Sequence, residues 1–214
     1  MKNTVIIIPT RLNAKRFPGK SLYKIKDIPM IIHVLKAAQK SEVGEVYVTS
    51  PDKEIIEVVQ SYGGNVILTG EHPNGTSRVY EAFKKLENKN IDLVINMQGD
   101  LPKLPPKSIQ KLEQLMRKNK SSIGTLASNL KKNEIMDQNV VKVEVENDLK
   151  EDSFLNAKDF FRIKKNWKNK IIYHHVGIYC FQPFYLKQYV KIGESEQEKI
   201  LKLEQMRILG KIDI

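Results

Sequence analysis

Short apolar runs recur along this chain, and stretches with helical periodicity lie between them. The runs with the length and β-branched content of strands are 4–8, 45–49, 65–68, 92–97, 123–127, 140–145 and 176–181. Strands that alternate with helices predict an α/β fold, in which a parallel or mixed sheet is covered by helices. The first run is nearly continuous in Val and Ile, so we expect that strand to lie centrally, buried on both faces.

Two segments carry the clearest helical pattern. Pro29 opens the first at a favourable first-turn position, and its apolar face comprises Met30, Ile31, Val34, Leu35 and Ala38. The second follows Pro51-Asp52, has apolar residues at 55, 56, 58 and 59, and ends at Gly63-Gly64. Each pattern predicts a helix that packs one face against the sheet.

The length of 214 residues predicts one domain, 1–214, because such a chain can bury a single continuous core. Hydrophobic residues make up 41% and charged residues 29%, which excludes a disordered chain. Periodicity weakens over 146–173. We interpret that segment as a lid or a dimerisation insertion, since long connections in α/β enzymes often carry substrate contacts.

Composition narrows the classes of partner. No apolar run approaches the roughly 20 residues of a membrane-spanning helix, and the first residues are too few for a secretory signal, so we expect a cytoplasmic protein. The net charge of +11 favours anionic ligands. Because the lysines are scattered and no nucleic-acid-binding module is present, we predict no nucleic-acid partner. The single cysteine, Cys180, is interpreted as a buried apolar residue and not as a nucleophile.

A basic loop, residues 9–20, follows the first predicted strand and carries Arg11, Lys15, Arg16 and Lys20. Ligands of open α/β sheets bind beyond the carboxyl ends of the strands, so these cations are expected at the binding crevice. Arg offers a planar fork and Lys a point charge to phosphate oxygens. The loop therefore predicts a triphosphate ligand, with a solvated basic turn as the alternative. Its spacing is not that of a Walker loop.

A second polar segment, Gln98-Gly99-Asp100, follows the fourth predicted strand. Magnesium is usually held by one or two carboxylates together with water and substrate phosphates, so Asp100 is a candidate Mg²⁺ ligand. An aspartate at a strand end is alternatively a turn or helix-cap residue. The basic loop at the same edge of the sheet favours the metal role.

An ordered set of motifs spans nearly the whole chain: Arg11, 16–20, 29–31, 72–78, 98–100, 139–143, 175–179 and 203–207. In this order they resemble the 3-deoxy-manno-octulosonate cytidylyltransferases, the CMP-Kdo synthetases. The resemblance implies a Rossmann-like nucleotidyltransferase fold, with a mostly parallel mixed sheet, and a homodimer. It also implies transfer of CMP from CTP to the acidic sugar Kdo, with release of pyrophosphate, for lipopolysaccharide biosynthesis.

The resemblance further implies roles for individual residues. Arg11, Lys20 and Asp100 would be catalytic, and Asp100 would hold Mg²⁺. The implied nucleotide-binding residues are Pro9, Arg11, Arg16, Lys20, Gly75, Thr76 and Arg78. The implied sugar-binding residues are Gln98, His175, Tyr179, Glu204 and Gln205. From spacing alone, His175 and Tyr179 could instead form a core pair on one strand face, and Glu204 could pair with Arg207 on a helix.

The chain departs from the family pattern near the expected site. Ala14 replaces a usual Ser, Ser77 an Asp, Leu101 a Glu, and Pro51 stands where an acidic residue is common. A Ser-Arg-x-x-Ile-Pro segment is not recognisable around 154–161. The sequence ends at Ile214, before the family's Val-Asp-Thr-Pro-Glu-Asp segment with a second metal-binding Asp.

These departures leave several readings open. The sequence is truncated, or the enzyme has replaced the second metal ligand, or the chain is a non-catalytic nucleotide-binding paralogue. Within the enzymes, the acceptor is Kdo or another acidic keto-sugar, such as a nonulosonic acid or amino-Kdo.

Overall fold

The computed structural model describes residues 3–13, 17–87, 90–150, 152–164, 167 and 169–214. The strands of this part of the chain are β1 (Thr4–Pro9), β2 (Lys24–Ile25), β3 (Ile28–Pro29), β4 (Glu45–Ser50), β5 (Asn65–Leu68), β6 (Leu93–Met97), β7 (Ile123–Ser128), β8 (Lys142–Val145), β9 (Asp159–Phe161) and β10 (Ile171–Phe181). The α-helices are α1 (Met30–Gln39), α2 (Lys53–Ser61), α3 (Gly75–Lys85), α4 (Pro106–Asn119), α5 (Pro183–Lys191) and α6 (Glu196–Leu201). Three 3₁₀ turns lie at Lys20–Leu22, Lys132–Glu134 and Glu204–Arg207.

Eight strands form one mixed sheet, in the order β5-β4-β1-β6-β10-β8-β9, with β7 also paired to β10. The strands β5, β4, β1 and β6 are parallel to one another. Strand β10 runs antiparallel to β6, β7 and β8. This arrangement confirms the predicted fold class, and it brings the carboxyl ends of four neighbouring strands to one edge.

Strand β1 lies between β4 and β6 and is buried at all six positions, which confirms its predicted central place. Successive side chains point to opposite faces of the sheet, so each face needs its own apolar residues. Ile6 and Ile8 contribute to the core that includes α1 and α4, whereas Val5 and Ile7 contribute to the core that includes α3 and α5. A strand covered on both faces therefore has an almost unbroken apolar sequence.

All seven predicted strands and both predicted helices are present, but some boundaries differ. Strand β10 begins at Ile171, five positions before the predicted run, and its pairing with β7 shifts register between Val176 and Tyr179. Pro29 ends β3 and stands just before α1. Sequence reasoning missed β2, β3 and β9, because two- and three-residue strands carry too little alternation to be distinguished from loops.

The described part of 146–173 packs onto the sheet. Strand β9 pairs antiparallel with β8, and Phe160 is fully buried. Phe154 packs against the core that includes α4, and the Ala157 amide donates to the carbonyl oxygen of Ile214 at 2.8 Å. The predicted role of this segment as a lid or a dimerisation insertion stays a prediction.

Two smaller expectations concern single features. Cys180 is fully buried, as its interpretation as an apolar core residue requires. Burial raises the pKa of its thiol, which disfavours the nucleophilic thiolate. Within the described ranges, no helix combines the length and apolar content needed to cross a bilayer.

Candidate active site

A cleft of about 240 Å³, the first cleft, opens at the carboxyl ends of β1 and β6. Because parallel strands end at the same edge, segments distant in sequence meet there. The predicted site residues that line it are Pro9, Arg11, Lys20, Gly75, Arg78, Gln98, Asp100 and Glu204. Thr76, His175, Tyr179 and Gln205 are buried and are not among its lining residues. Arg16 and Ala14 lie outside the described residues.

The basic loop is fixed at both of its ends. The buried hydroxyls of Thr10 and Ser21 hydrogen-bond to each other, and the Gly19 amide donates to the Leu12 carbonyl oxygen at 2.8 Å. The Leu12 amide in turn donates to the carboxylate of Asp52 at 2.8 Å. These ties hold the backbone beside Arg11 and Lys20 before any ligand binds, which lowers the ordering cost of binding.

Asp52 therefore anchors the basic loop, a contact that sequence reasoning missed. The sequence places it only before a helix, yet its carboxylate accepts a hydrogen bond from Leu12, 40 positions away. The available signal was its place after β4, a strand that pairs in parallel with β1. Residues that follow neighbouring parallel strands meet at one edge, so an aspartate there is a candidate to contact the basic loop.

Lys20 and Asp100 meet across the first cleft. The Nζ of Lys20 lies 2.9 Å from Oδ2 of Asp100, and the two side chains are 37% and 51% exposed. Gly99, just before Asp100, lets the chain pass close to the end of β1, since a Cβ there would lie 3.1 Å from the Pro9 carbonyl oxygen. An ion pair this exposed contributes little to stability. Both groups are therefore free to exchange partners when an anionic ligand enters.

Arg78 is buried, with its residue only 2% exposed, although it lines the first cleft. Its Nη1 donates to Thr69 Oγ1 at 2.9 Å and to the Gly70 carbonyl oxygen at 2.8 Å. The carboxylate of Glu71 lies 3.9 Å away and is 80% exposed. Burial lowers the pKa of Arg78. A buried cation with so distant a counter-charge favours an anion in the cleft.

Helix α3 begins at the same cleft. The Asn74 side chain caps it by accepting from the Ser77 amide at 2.8 Å. Glu204 brings a carboxylate to this helix end, where it accepts from the Gly75 amide at 3.3 Å and from the Thr76 hydroxyl at 2.9 Å. Carboxylates are favoured at the positive end of a helix. Glu204 is held there by the backbone amide of Gly75 and the side chain of Thr76.

Gln98, the first residue after β6, is hydrogen-bonded to Asn96 of that strand. Its Nε2 donates to Asn96 Oδ1 at 3.1 Å, and Asn96 Nδ2 donates to Thr76 Oγ1 at 3.1 Å. Asn96 is fully buried. Sequence reasoning did not assign a role to Asn96, because a lone Asn within an apolar strand carries no sequence signal for its partners.

His175 and Tyr179 form a buried aromatic group on β10. Their ring centroids lie 5.5 Å apart, and the Nε2 of His175 lies 3.0 Å from Thr125 Oγ1. The Phe160 ring packs edge-on against His175 at 5.0 Å. The Tyr179 hydroxyl is buried with no hydrogen-bond partner among the described residues. Their implied sugar-binding role stays a prediction.

Burial lowers the pKa of His175 to about 3, so the ring is neutral near pH 7. In the unfolded chain a histidine binds a proton near pH 6.5. Between these values the unfolded state holds more protons, so the free energy of unfolding falls as the pH falls, by up to about 1.4 kcal/mol per pH unit. We expect His175→Gln to remove this contribution, and urea unfolding at pH 6.5, 5.5 and 4.5 measures it. If the free energy of unfolding depends on pH equally in wild type and variant, the pKa of His175 is not lowered in the folded protein.

The 3₁₀ turn Glu204–Arg207 is held by a buried ion pair. Arg207 donates to both carboxylate oxygens of Glu198, at 2.7 Å each, and its guanidinium lies 4.8 Å from the Tyr189 ring centroid. The alternative pairing of Arg207 with Glu204 is therefore wrong, because Arg207 is directed to α6 while Glu204 contacts the first turn of α3. Gln205, between them, is 6% exposed.

We expect Arg207→Met to lower the free energy of unfolding by about 3–5 kcal/mol, because Glu198 would remain as a buried, unpaired charge. Urea denaturation measures the change. Lys187→Met, which also replaces a basic residue by Met but at an exposed position of α5, is the matched control and is expected to lie within about 0.5 kcal/mol of wild type. Adding Glu198→Gln to Arg207→Met is expected to recover part of the loss. Equal stability of Arg207→Met and Lys187→Met would refute the buried pair.

Comparison with known proteins identifies the family of this chain. The sequence profile of the family described as cytidylyltransferase matches residues 5–212. The 3-deoxy-manno-octulosonate cytidylyltransferase of Rhodopseudomonas palustris (strain BisB18) is 37% identical over 209 residues, which cover 96% of this chain and 84% of that protein. This chain belongs to the 3-deoxy-manno-octulosonate cytidylyltransferase family.

Further relatives agree with this assignment. The 3-deoxy-manno-octulosonate cytidylyltransferase of Thermodesulfovibrio yellowstonii is 38% identical over 218 residues, covering 96% of this chain and 86% of that protein. A solved structure of CMP:2-keto-3-deoxy-manno-octonic acid synthetase complexed with CTP is 34% identical, has a TM-score of 0.86, and matches 99% of this chain and 87% of that one. A 4-diphosphocytidyl-2C-methyl-D-erythritol synthase from Anaerococcus prevotii, at 14% identity and a TM-score of 0.58 over 94% of this chain and 81% of that one, shares the fold.

Several departures from the pattern of this cytidylyltransferase family have structural places. Leu101, where the pattern has Glu, packs against the core that includes α1 and α4. Ser77, where it has Asp, is buried in the first turn of α3, and its amide is capped by Asn74. Pro51 directly precedes Asp52, the carboxylate that anchors the basic loop. An acidic group thus remains at this strand end, one position later.

The first cleft of this cytidylyltransferase offers Asp100 to a metal ion. Among the described residues, no group of three or more His, Cys, Asp or Glu side chains could hold a metal. The other predicted acidic residue of the cleft, Glu204, is engaged by Gly75 and Thr76. Magnesium commonly uses one carboxylate with water and substrate phosphates. The residues present therefore fit a divalent cation that would arrive with a nucleotide and would be held to the protein by Asp100.

A second cleft, about 1120 Å³ in volume, lies between α4, β7, β8 and residues 149–150 and 153–155. It meets the first cleft at Asp100, which lines both. The second cleft is larger, but the first is the one lined by Arg11, Lys20 and Arg78. We therefore place the candidate active site of the cytidylyltransferase at the first cleft.

Proposed function

We propose that this cytidylyltransferase transfers CMP from CTP to the anomeric hydroxyl of Kdo and releases pyrophosphate. The observation that carries the proposal is the meeting of Arg11, Lys20 and Arg78 with the carboxylate of Asp100 in one cleft at the carboxyl edge of the sheet. Three cations suit a triphosphate, and the solved relative bound to CTP supports CTP as that ligand. The names of the curated relatives support Kdo as the acceptor.

The reaction requires the protein to position the two substrates and to neutralise the charge of the phosphates. The anomeric oxygen of the sugar attacks the α-phosphorus and forms the new P–O bond, while the bond to the oxygen that bridges to the β-phosphorus breaks. Pyrophosphate leaves with that electron pair, and the hydroxyl proton passes to solvent. The preorganised cations Arg11 and Lys20 stabilise the negative charge that collects on the leaving group. No covalent enzyme intermediate is required.

Magnesium is the divalent cation we propose at Asp100. When bound with the nucleotide, it would screen the charge of the phosphates and make the α-phosphorus easier to attack. Asp100 would exchange Lys20 for the cation, and Lys20 would then be free to donate to a phosphate oxygen. Both side chains are exposed enough to make this exchange.

The remaining assignments are also proposals. We assign a homodimer to the protein, with sedimentation expected to give twice the mass of the chain. We place it in the cytoplasm, where CTP is made, and assign its product to lipopolysaccharide assembly. The family resemblance of the motifs supports each of these.

The decisive experiment is pyrophosphate release by the purified 214-residue chain with CTP and Mg²⁺. Kdo, N-acetylneuraminate and no sugar are the three acceptor conditions. The proposal expects release with Kdo well above the other two. Release with N-acetylneuraminate alone would assign another acidic keto-sugar, and CTP binding without release under any condition would support a non-catalytic nucleotide-binding protein.

A further inference from the structure

A chain of hydrogen bonds links four residues of the site in one direction. It runs from Gln98 to Asn96 at 3.1 Å, from Asn96 to Thr76 at 3.1 Å, and from Thr76 to Glu204 at 2.9 Å. Asn96 is 0% exposed and Thr76 is 3% exposed, so water does not compete for their hydrogen bonds. The two ends of the chain, Gln98 and Glu204, both line the first cleft.

The carboxylate at the end of this chain sets the direction of its three hydrogen bonds. A carboxylate has no hydrogen to give, so the Thr76 hydroxyl must donate to Glu204. A hydroxyl has one hydrogen, so toward Asn96 the Thr76 oxygen can only accept, and the Asn96 group that faces it must be the amide nitrogen. The Asn96 oxygen then faces Gln98, and Gln98 must use an N–H there. The orientation of both amides thus follows from Glu204.

The consequence for the cleft concerns the free atoms of Gln98. With one N–H directed to Asn96, its second N–H and its carbonyl oxygen remain, and that oxygen receives no hydrogen bond from the described residues. An amide free to rotate would present nitrogen or oxygen about equally well. An amide held by Asn96 presents its oxygen and its remaining N–H at fixed positions. The oxygen position then selects for a ligand group that donates a hydrogen bond.

We propose that Asn96 and Thr76 are positioning residues that orient the Gln98 amide, so that its carbonyl oxygen accepts a hydrogen bond from a hydroxyl of the acceptor sugar. This proposal deepens the proposed function and rests on it for the identity of the sugar. Asn96 does not line the first cleft, so it acts through Gln98 and not by touching the substrate. A sugar whose matching position can only accept a hydrogen bond would be discriminated against.

The kinetic test is a double-mutant cycle of Asn96→Leu and Gln98→Met. We expect Asn96→Leu to raise KM for Kdo roughly tenfold and to leave KM for CTP within about twofold, because one oriented hydrogen bond to the sugar is lost. If Asn96 acts through Gln98, Asn96→Leu has no further effect in the Gln98→Met background. Met97→Leu, a volume-conserving change at the next buried residue of β6, controls for repacking.

A measurement without turnover keeps the proposal separate from the proposed function. In ligand-free protein, the side-chain amide signals of Gln98 in ¹H–¹⁵N spectra are expected to shift in Asn96→Leu and in Thr76→Val, and to return near wild type in Thr76→Ser, which keeps the hydroxyl. The proposed orientation of Gln98 by Asn96 and Thr76 would be overturned by unchanged Gln98 signals. It would also be overturned by additive effects of Asn96→Leu and Gln98→Met, or by an equal rise in KM for CTP. A wild type without Kdo-dependent release but with the expected spectral shifts would overturn the proposed function and retain the orientation of Gln98.

Discussion

We expect Asp100→Asn to lower kcat for pyrophosphate release by about 100-fold or more, with CTP and Kdo as substrates. Asn is nearly isosteric with Asp but carries no charge, so it is a poor ligand for a hard divalent cation. Preorganised charges in such sites contribute about 10²–10³ in rate. The side chain is 51% exposed, so we expect the free energy of unfolding to change by less than about 0.5 kcal/mol. Stopped-assay kinetics and urea denaturation of the same preparation measure the two quantities.

Asp213→Asn is the matched control for that variant. Asp213 is exposed and does not line the first cleft, so its replacement by Asn makes the same chemical change away from the candidate site. We expect it to keep full activity. Retained turnover in Asp100→Asn would remove the metal role from Asp100. A loss of turnover in Asp213→Asn instead would assign that role to Asp213.

The second large effect is expected at Lys20. Lys20→Ala removes a charge-assisted hydrogen bond to phosphate, and such bonds contribute about 1.5–3 kcal/mol, so we expect KM for CTP to rise roughly 10- to 100-fold. Steady-state kinetics with varied CTP measures it. The effect is expected to shrink at high salt, since screening weakens the same attraction in wild type. Stability is expected to change little because the side chain is 37% exposed.

Lys24→Ala provides the comparison for this prediction, because Lys24 is an exposed lysine of β2 only four positions along the chain. It shares the loss of one positive charge but does not line the first cleft. Equal CTP affinity in Lys20→Ala and wild type would exclude Lys20 from the phosphate site. An equal loss in both variants would assign the effect to net charge alone.

The main elements of the fold could be predicted because their signals are local. Strand β1 is buried on both faces, and its unbroken run of Val and Ile residues predicts this burial. Helix α1 carries its apolar residues at helical spacing and buries them against the sheet. Strand β9 and the first half of β10 were missed, because their length and pairing depend on β8, which lies more than ten residues earlier in the chain.

The candidate site was predicted in its residue types more fully than in its contacts. The cations of the basic loop and Asp100 were expected at one edge of the sheet, and the structure brings Arg11, Lys20 and Asp100 to the same cleft. The contacts of Asp52, Asn96 and Arg207 were not foreseen. Each joins segments whose relative place is fixed only when the sheet and helices pack, as in the ties from Asp52 to Leu12 and from Arg207 to Glu198.

The sequence by itself determined the alternation of strands and helices, the central place of β1 and the chemical types at the ends of the parallel strands, because these follow from periodicity and residue chemistry along the chain. Tertiary structure alone decided which polar groups meet. Thr76 and Glu204 hydrogen-bond although 128 positions separate them. That contact depends on packing α3 against the Glu204–Arg207 turn, and it sets the direction of the hydrogen bonds that reach Gln98. Local patterns cannot encode such a contact, because its free energy arises only after distant elements have been buried together.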